Sequence, residues 1–254
     1  MSASLDAALA ASAALVATAF SLSALDRWLR RRQPHDGAWC TAMALFAAGS
    51  FALWWGIAAG WNGPVFRAFF LAGAVLNVAW LSLGTVYLLA GRRIGDPIAR
   101  GLALASAFAA GVLVVTPMTG SIDPDDLPRG RDVFGALPRI LAAAGSGVAA
   151  LVIFVGAAWS VVRLLRGRSA SLPSRGARTA LAPRRMVLAN LLIAAGTVVL
   201  SLSGSLAGRL GDDRAFVVTL LAGVTVLFAG FLAAGGGQSR QRASQYLARS
   251  AEWQ

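Results

Sequence analysis

Read for hydrophobic and polar positions alone, the chain resolves into seven blocks that carry no charge: 7–25, 38–60, 68–90, 101–118, 140–162, 186–208 and 215–235. A helix rises about 1.5 Å per residue, so about 20 residues cross a hydrocarbon layer about 30 Å thick. Each block is long enough. The shortest, 101–118, is expected to recruit Pro97 to Arg100 at its charged end. The blocks are apolar on every side, whereas strands of a membrane barrel alternate lipid-facing and lumen-facing residues over about 10 positions. The pattern predicts an all-α membrane protein, seven transmembrane helices in one bundle over 1–235, followed by a cytoplasmic tail over 236–254. Tyr246, Leu247 and Trp253 suit that tail to a short interfacial helix.

The segments between the blocks set the expected orientation. All 23 basic residues are Arg, and none falls inside a block. With the N-terminus outside and the C-terminus in the cytoplasm, 17 Arg lie inside against six outside, namely Arg67, Arg129, Arg131, Arg139, Arg209 and Arg214. The acids lean the other way: Asp26, Asp36, Asp96 and Glu252 inside, the other seven outside. An excess of Arg in short cytoplasmic segments is what orients spans during insertion. The first block is expected to be a retained span and not a cleaved signal peptide. Met1 to Asp6 carries no Arg, and Arg27, Arg30, Arg31 and Arg32 follow the block. The place expected for such a chain is the bacterial cytoplasmic membrane, with membrane lipids as its first partners.

Composition agrees and narrows the chemistry. With 57% hydrophobic and 13% charged residues, the chain has too little polar surface for a soluble domain. The net charge of +12 follows from the positive-inside bias and not from nucleic-acid binding, since no stretch interleaves aromatics with Arg on a soluble fold. Cys40 is the only cysteine, which rules out an intrachain disulfide and a cysteine metal cluster. There is no Lys for a retinal Schiff base, and His35 is the only histidine, so bis-histidine haem is excluded. No Asp, Glu, Arg, Lys or His falls in a block, which disfavours a proton relay. His35, Asp36 and Cys40 could be imagined as a catalytic cluster, but loop polarity explains them more simply. Neither a cofactor nor an enzyme activity is expected.

Two polar faces stand out. In the third block Asn77, Trp80, Gly84 and Tyr87 recur at helical spacing, and in the sixth Asn190, Thr197, Ser201, Gly204 and Gly208 do the same. Helix packing is the expected role, because small residues let backbones approach and polar groups bond across the interface. A cavity for a polar solute or lipid headgroup is the alternative. Trp28, Trp54, Trp55, Trp61 and Trp159 lie near block ends, where interfacial aromatic belts form. The segment Thr119 to Arg139, with Asp123, Asp125 and Asp126, reads as a turn-rich, solvated loop without calcium-loop spacing. The segment Arg163 to Arg185 has no acid. Its Arg166, Arg168, Arg175, Arg178, Arg184 and Arg185 are candidates for contact with anionic lipid or a cytoplasmic or membrane protein partner.

The stretch Asn77 to Arg93 (NVAWLSLGTVYLLAGRR), the segment with Gly135 to Arg139, and GFLAA at 230–234 resemble an uncharacterised group of bacterial seven-span integral membrane proteins. That likeness implies the seven-span plan and no activity. The plan is also similar to that of the sugar-transporter family built as three helices, a linker helix and three more. Its Pro-Gln motif is missing here, and the only proline in any block is Pro117. The functional expectation is a non-catalytic scaffold, sensor or assembly partner. The alternative is an uncoupled transporter or lipid-handling protein using the faces of the third and sixth spans.

Overall fold

The computed structural model describes residues 2–169, 188, 191–200 and 213–251. Among the described residues the chain is helical throughout, apart from its connections and a single isolated β-bridge between Met118 and Phe134. Five helices are long and apolar enough to cross a membrane: Ser4–Arg31, Pro34–Ala59, Gly63–Val115, Ala136–Gly156 and Arg214–Ala233. A shorter apolar helix covers Leu191–Leu200.

The elements follow the blocks but overrun them. Helix α1 is Ser2–Arg31. Arg32 turns at φ 52°, and α2, Pro34–Ala59, starts directly behind it with proline in its first turn, where no N–H is needed. Gly60 at φ 89° ends α2. Asn62 caps α3, Gly63–Phe69, by accepting from the Val65 N–H at 3.0 Å. A π-helical segment, Phe70–Leu76, leads into α4, Asn77–Val115. A one-turn α5, Gly130–Val133, precedes α6, Ala136–Ser169. The remaining helices are α7, Leu191–Leu200, and α8, Asp213–Ala251, which runs unbroken through the region expected as a separate tail.

Gly63–Val115 is too long for one crossing, and it reverses. Gly91 takes φ 73° and ψ −174°, a conformation open in practice to glycine alone. Three contacts lie almost symmetrically about it: Tyr87 with Asp96, Trp80 with Ser106, and Arg67 with the Val114 and Thr116 carbonyls. The third and fourth blocks are therefore the arms of one antiparallel hairpin, and the second arm does take in Pro97 to Arg100. Its far end corrects the expected boundary at 118. The helix stops at Val115 because Pro117 lacks an N–H and restricts the residue before it, so Thr116 is extended.

The contacts also give each helix a direction. Arg27 and Ser21 of α1 meet Asp36 and Cys40 of α2, and Trp39 and Gly49 of α2 lie against Gly84 and Gly73 in that order, so α2 is antiparallel to α1 and to the first arm. Gly145 and Gly156 of α6 face Val75 and Thr85 in that order, so α6 runs parallel to the first arm. Gly196 of α7 packs on Gly223 and Leu227 of α8 while Leu200 packs on Gly223, which makes this pair antiparallel. Helix α8 runs parallel to α1, because Asp6 pairs with Arg214, Phe20 stacks on Phe228, and Arg27 covers Phe231.

One end of the bundle holds Asp6, Trp61 and residues 116–135, and the other holds Arg27 to Arg32 and Arg92. At the first end Asp123, Asp125 and Asp126 are exposed as a solvated loop requires, yet the segment is not simply a loop. Val133 and Phe134 are fully buried, with Phe134 stacked on Phe66 at 5.4 Å. Trp61 is 4% exposed and its backbone N–H donates to the Pro124 carbonyl. It is a core residue and not part of a belt.

Gly91→Val should lower folded yield and thermal stability, since that backbone conformation costs a side chain about 1–3 kcal/mol. Gly101→Ala, which meets open space in the same hairpin, should be neutral or mildly stabilising in the same melting assay.

Candidate functional site

The face of the third block is put to use inside the hairpin. Trp80 Nε1 donates to Ser106 Oγ at 3.2 Å, and Tyr87 donates to the Asp96 carboxylate at 2.9 Å. Gly84 has no side chain because the Trp39 indole occupies that space, and Gly95 makes room for the Tyr87 ring in the same way. Asn77 differs. It is 4% exposed, and its Oδ1 has no hydrogen-bond partner among the described residues. It directly follows the π segment, where its N–H reaches back to the Ala72 carbonyl. The widened turn fits because neighbouring backbones are bare: Gly49 lies against Gly73, and Gly145 against the Val75 carbonyl.

For the sixth block, Thr197 is buried and donates to the Ile193 carbonyl at 2.8 Å. Ile193 and Leu200 of α7 pack against the same apolar cluster as Val78, Trp80 and Leu81 of α4. Asn190, Ser201, Gly204 and Gly208 lie outside the described residues, as do Arg175, Arg178, Arg184 and Arg185. Arg166 and Arg168 fall on the last turns of α6.

A second polar group sits at the arginine-rich end, and the sequence pattern does not announce it. Loop polarity predicts a solvated Asp36. Its side chain is instead 3% exposed, in the first turn of α2. Arg27, at 17%, brings its Nε to 3.9 Å from Asp36 Oδ1, and His35 Nε2 lies 3.7 Å from the same oxygen. Both distances are those of ion pairs and are too long for hydrogen bonds. The Arg27 guanidinium also lies 3.4 Å over the Phe231 ring of α8, a close cation–π contact. Trp39 stands edge-on to both His35 and Phe231. Arg27 Nε and Nη2 and Asp36 Oδ2 are buried without a hydrogen-bond partner among the described residues. One guanidinium thus ties α1 to α2 by charge and to α8 by its π face.

These groups lie outside the uncharged blocks 7–25 and 38–60. Burial pushes the His35 imidazole below its ordinary range; Asp36 opposes this, and the Arg27 and Arg31 charges add to it. Burial likewise lowers Arg27, again against Asp36. The arrangement has a base and an acid but no nucleophile beside them among the described residues. The Cys40 thiol faces α1, 3.7 Å from the Ser21 hydroxyl, whose proton goes to the Cys40 carbonyl. Among the described residues no group of three His, Cys, Asp or Glu side chains is placed to hold a metal ion. The signal that could have found the cluster is the short connection: Arg32 and Gln33 alone join α1 to α2, and Pro34 fixes where α2 begins, so Arg27 must fold back near Asp36.

Comparison of the chain with family models, with curated proteins and with solved structures finds no match.

Removing one member of a buried ion pair costs more than removing both, because the survivor is left charged and unpaired. Arg27→Met or Asp36→Leu alone should each lower stability, by up to about 3 kcal/mol. The double variant should melt above at least one of the singles. Additive losses in a double-mutant cycle would mean the two groups do not interact.

Proposed function

We propose that this is a seven-span protein of the bacterial cytoplasmic membrane, N-terminus out and C-terminus in, that works as a non-catalytic scaffold, sensor or assembly partner. The count is supported by the helix directions. Helices α1, the first arm of α4, α6 and α8 run the same way, so each successive pair of them needs a return crossing between. The block 186–208, to which α7 belongs, supplies the return between α6 and α8. The orientation is supported by the arginine excess at the end holding Arg27 to Arg32. The resemblance to bacterial seven-span proteins points the same way.

The observation that carries the scaffold reading is where the polar groups go. Trp80, Tyr87 and Gly84 are engaged by Ser106, Asp96 and Trp39 within the bundle, which leaves them structural and not free for a solute. A partner would then be met by the surfaces outside the bundle: the Arg-rich segment 163–185, which also suits anionic lipid, and the tail. One observation favours the transport or lipid-handling reading. Asn77 is buried beside a π-helical segment with an Oδ1 unpartnered among the described residues, and such segments recur at functional sites.

Cysteine labelling of intact cells tests the topology: positions near Gly63 and Asp125 should react from outside, and those near Arg31 and Arg240 only after permeabilisation. Labelling of Arg240→Cys from outside would reverse the orientation. Purification in a gentle detergent, with protein and lipid both identified, separates the two functions. The scaffold reading expects a protein partner that is lost when Arg175, Arg178, Arg184 and Arg185 become Ala. A stoichiometric small molecule or lipid instead, lost in Asn77→Leu at normal stability, would favour the transport or lipid-handling reading.

A further inference from the structure

We infer that Arg27, His35, Asp36 and Phe231 form a proton-sensitive latch that holds the middle of α8 against α1 and α2 and lets it go when His35 becomes charged. This rests on the sensor or scaffold reading above and names a regulation for it.

The latch follows from a shared partner. Asp36 is buried and has two cations within ion-pair distance, Arg27 at 3.9 Å and His35 at 3.7 Å. With His35 neutral, the one buried carboxylate balances the one buried guanidinium. Arg27 can then stay where it also covers Phe231 at 3.4 Å. With His35 charged, two cations compete for one carboxylate in a desolvated site, and no second acid among the described residues pairs with either. The charged groups that face the site are Arg27 and Arg31 from α1 and His35 and Asp36 from α2. Arg92, from the α4 hairpin, is bonded to the Arg32 carbonyl close by. From α8 the described contact is the uncharged Phe231 ring. Beyond Asp36, the charges that bear on His35 are positive.

Arg27 is the cation that can leave. It sits one turn from the end of α1, among exposed arginines, and is the longer side chain, whereas His35 is held edge-on by Trp39. Its Nε and Nη2 also lack hydrogen-bond partners among the described residues, so departure into water restores hydrogen bonds that the buried position withholds. Departure strips the cation from Phe231, and α8 loses its polar tie to α1 at this end. The sign is fixed by the environment. Because the folded state disfavours the charged imidazole, the docked arrangement is fully stable above the ordinary histidine pKa of about 6.5 and loses stability as pH falls below it. Helix α8 continues to Ala251, so release at Phe231 frees the segment that the scaffold reading assigns to partner contact.

The test uses full-length protein in lipid nanodiscs, in a Cys40→Ala background. Spin labels go on Leu29→Cys of α1 and Leu232→Cys of α8, both exposed in the bundle. Pulsed electron–electron distance measurements should give one narrow distance at about pH 7.5, and at about pH 5 a distribution shifted or broadened by about 5 Å, the scale of a one-turn helix displacement. His35→Gln, neutral at both pH values, should keep the narrow distance throughout. His35→Arg, charged at both, should show the broad one already at pH 7.5. An unchanged distance in the wild type, or the same acid response in His35→Gln, overturns the latch. Failure of the scaffold reading shows up separately, as an absent protein partner or a reversed labelling pattern.

Discussion

The constraint on which everything else depends is that a backbone in hydrocarbon must satisfy its own hydrogen bonds. It explains where this chain is allowed to be irregular. The turns at Arg32 and Gly91 lie at the arginine-rich end, and Gly60 and the stop at Thr116 and Pro117 lie at the opposite end. The acidic-loop end adds donors and acceptors of its own: Arg67 donates to the Val114 and Thr116 carbonyls left open by the end of α4. Within the bundle the only departure from α-helix among the described residues is the π segment Phe70–Leu76. It keeps its bonds by reaching one residue further back, as the Asn77 N–H does to Ala72. Two glycines on the neighbouring helices, Gly49 against Gly73 and Gly145 against the Val75 carbonyl, let the wider turn sit against its neighbours.

Much of this is legible in the sequence, because uncharged blocks of about 20 residues are hard to place anywhere but in helices. The positions of the charged segments also locate the hairpin turns, including the one at Gly91 between Ala90 and Arg92. What stays hidden depends on contacts between distant blocks. Phe134 reads as an isolated aromatic in a polar stretch, and only the fold shows it stacked on Phe66. Trp61 has the sequence position of a belt residue, yet Pro124 and the bare surface of Gly56 draw it inward. Asp36 looks solvated because its neighbours Arg31, Arg32 and His35 are polar. Its burial is decided by Arg27, nine residues away, and by the α8 helix on which Arg27 rests. The overrun of block 101–118 at Met118 is different in kind, since Pro117 is visible and its effect on the preceding residue is a local rule.

The polar inventory links fold to function. In spans that carry no charge, a polar side chain either bonds to a neighbour or faces something that moves through. Trp80, Tyr87 and Thr197 do the former. Among the described residues, Asn77 leaves an acceptor open at the π segment, and the Arg27–Asp36 pair leaves two donors and an acceptor open at the arginine-rich end. These unmet groups are where the protein departs from the well-satisfied packing found elsewhere in it, and they are where function is to be sought. The second set has the clearer consequence, because it joins three helices through one side chain.

The central structural claim is that α1 and α8 run parallel, which requires an odd number of crossings. A short bis-maleimide cross-link tests it in native membranes with Cys40→Ala as background. Cysteines at Asp6 and Arg214, whose side chains meet at 3.2 Å, should link in high yield, and cysteines at Asp6 and Leu232 should not. Linkage of Asp6→Cys to Leu232→Cys, with none to Arg214→Cys, would make the helices antiparallel and contradict the account.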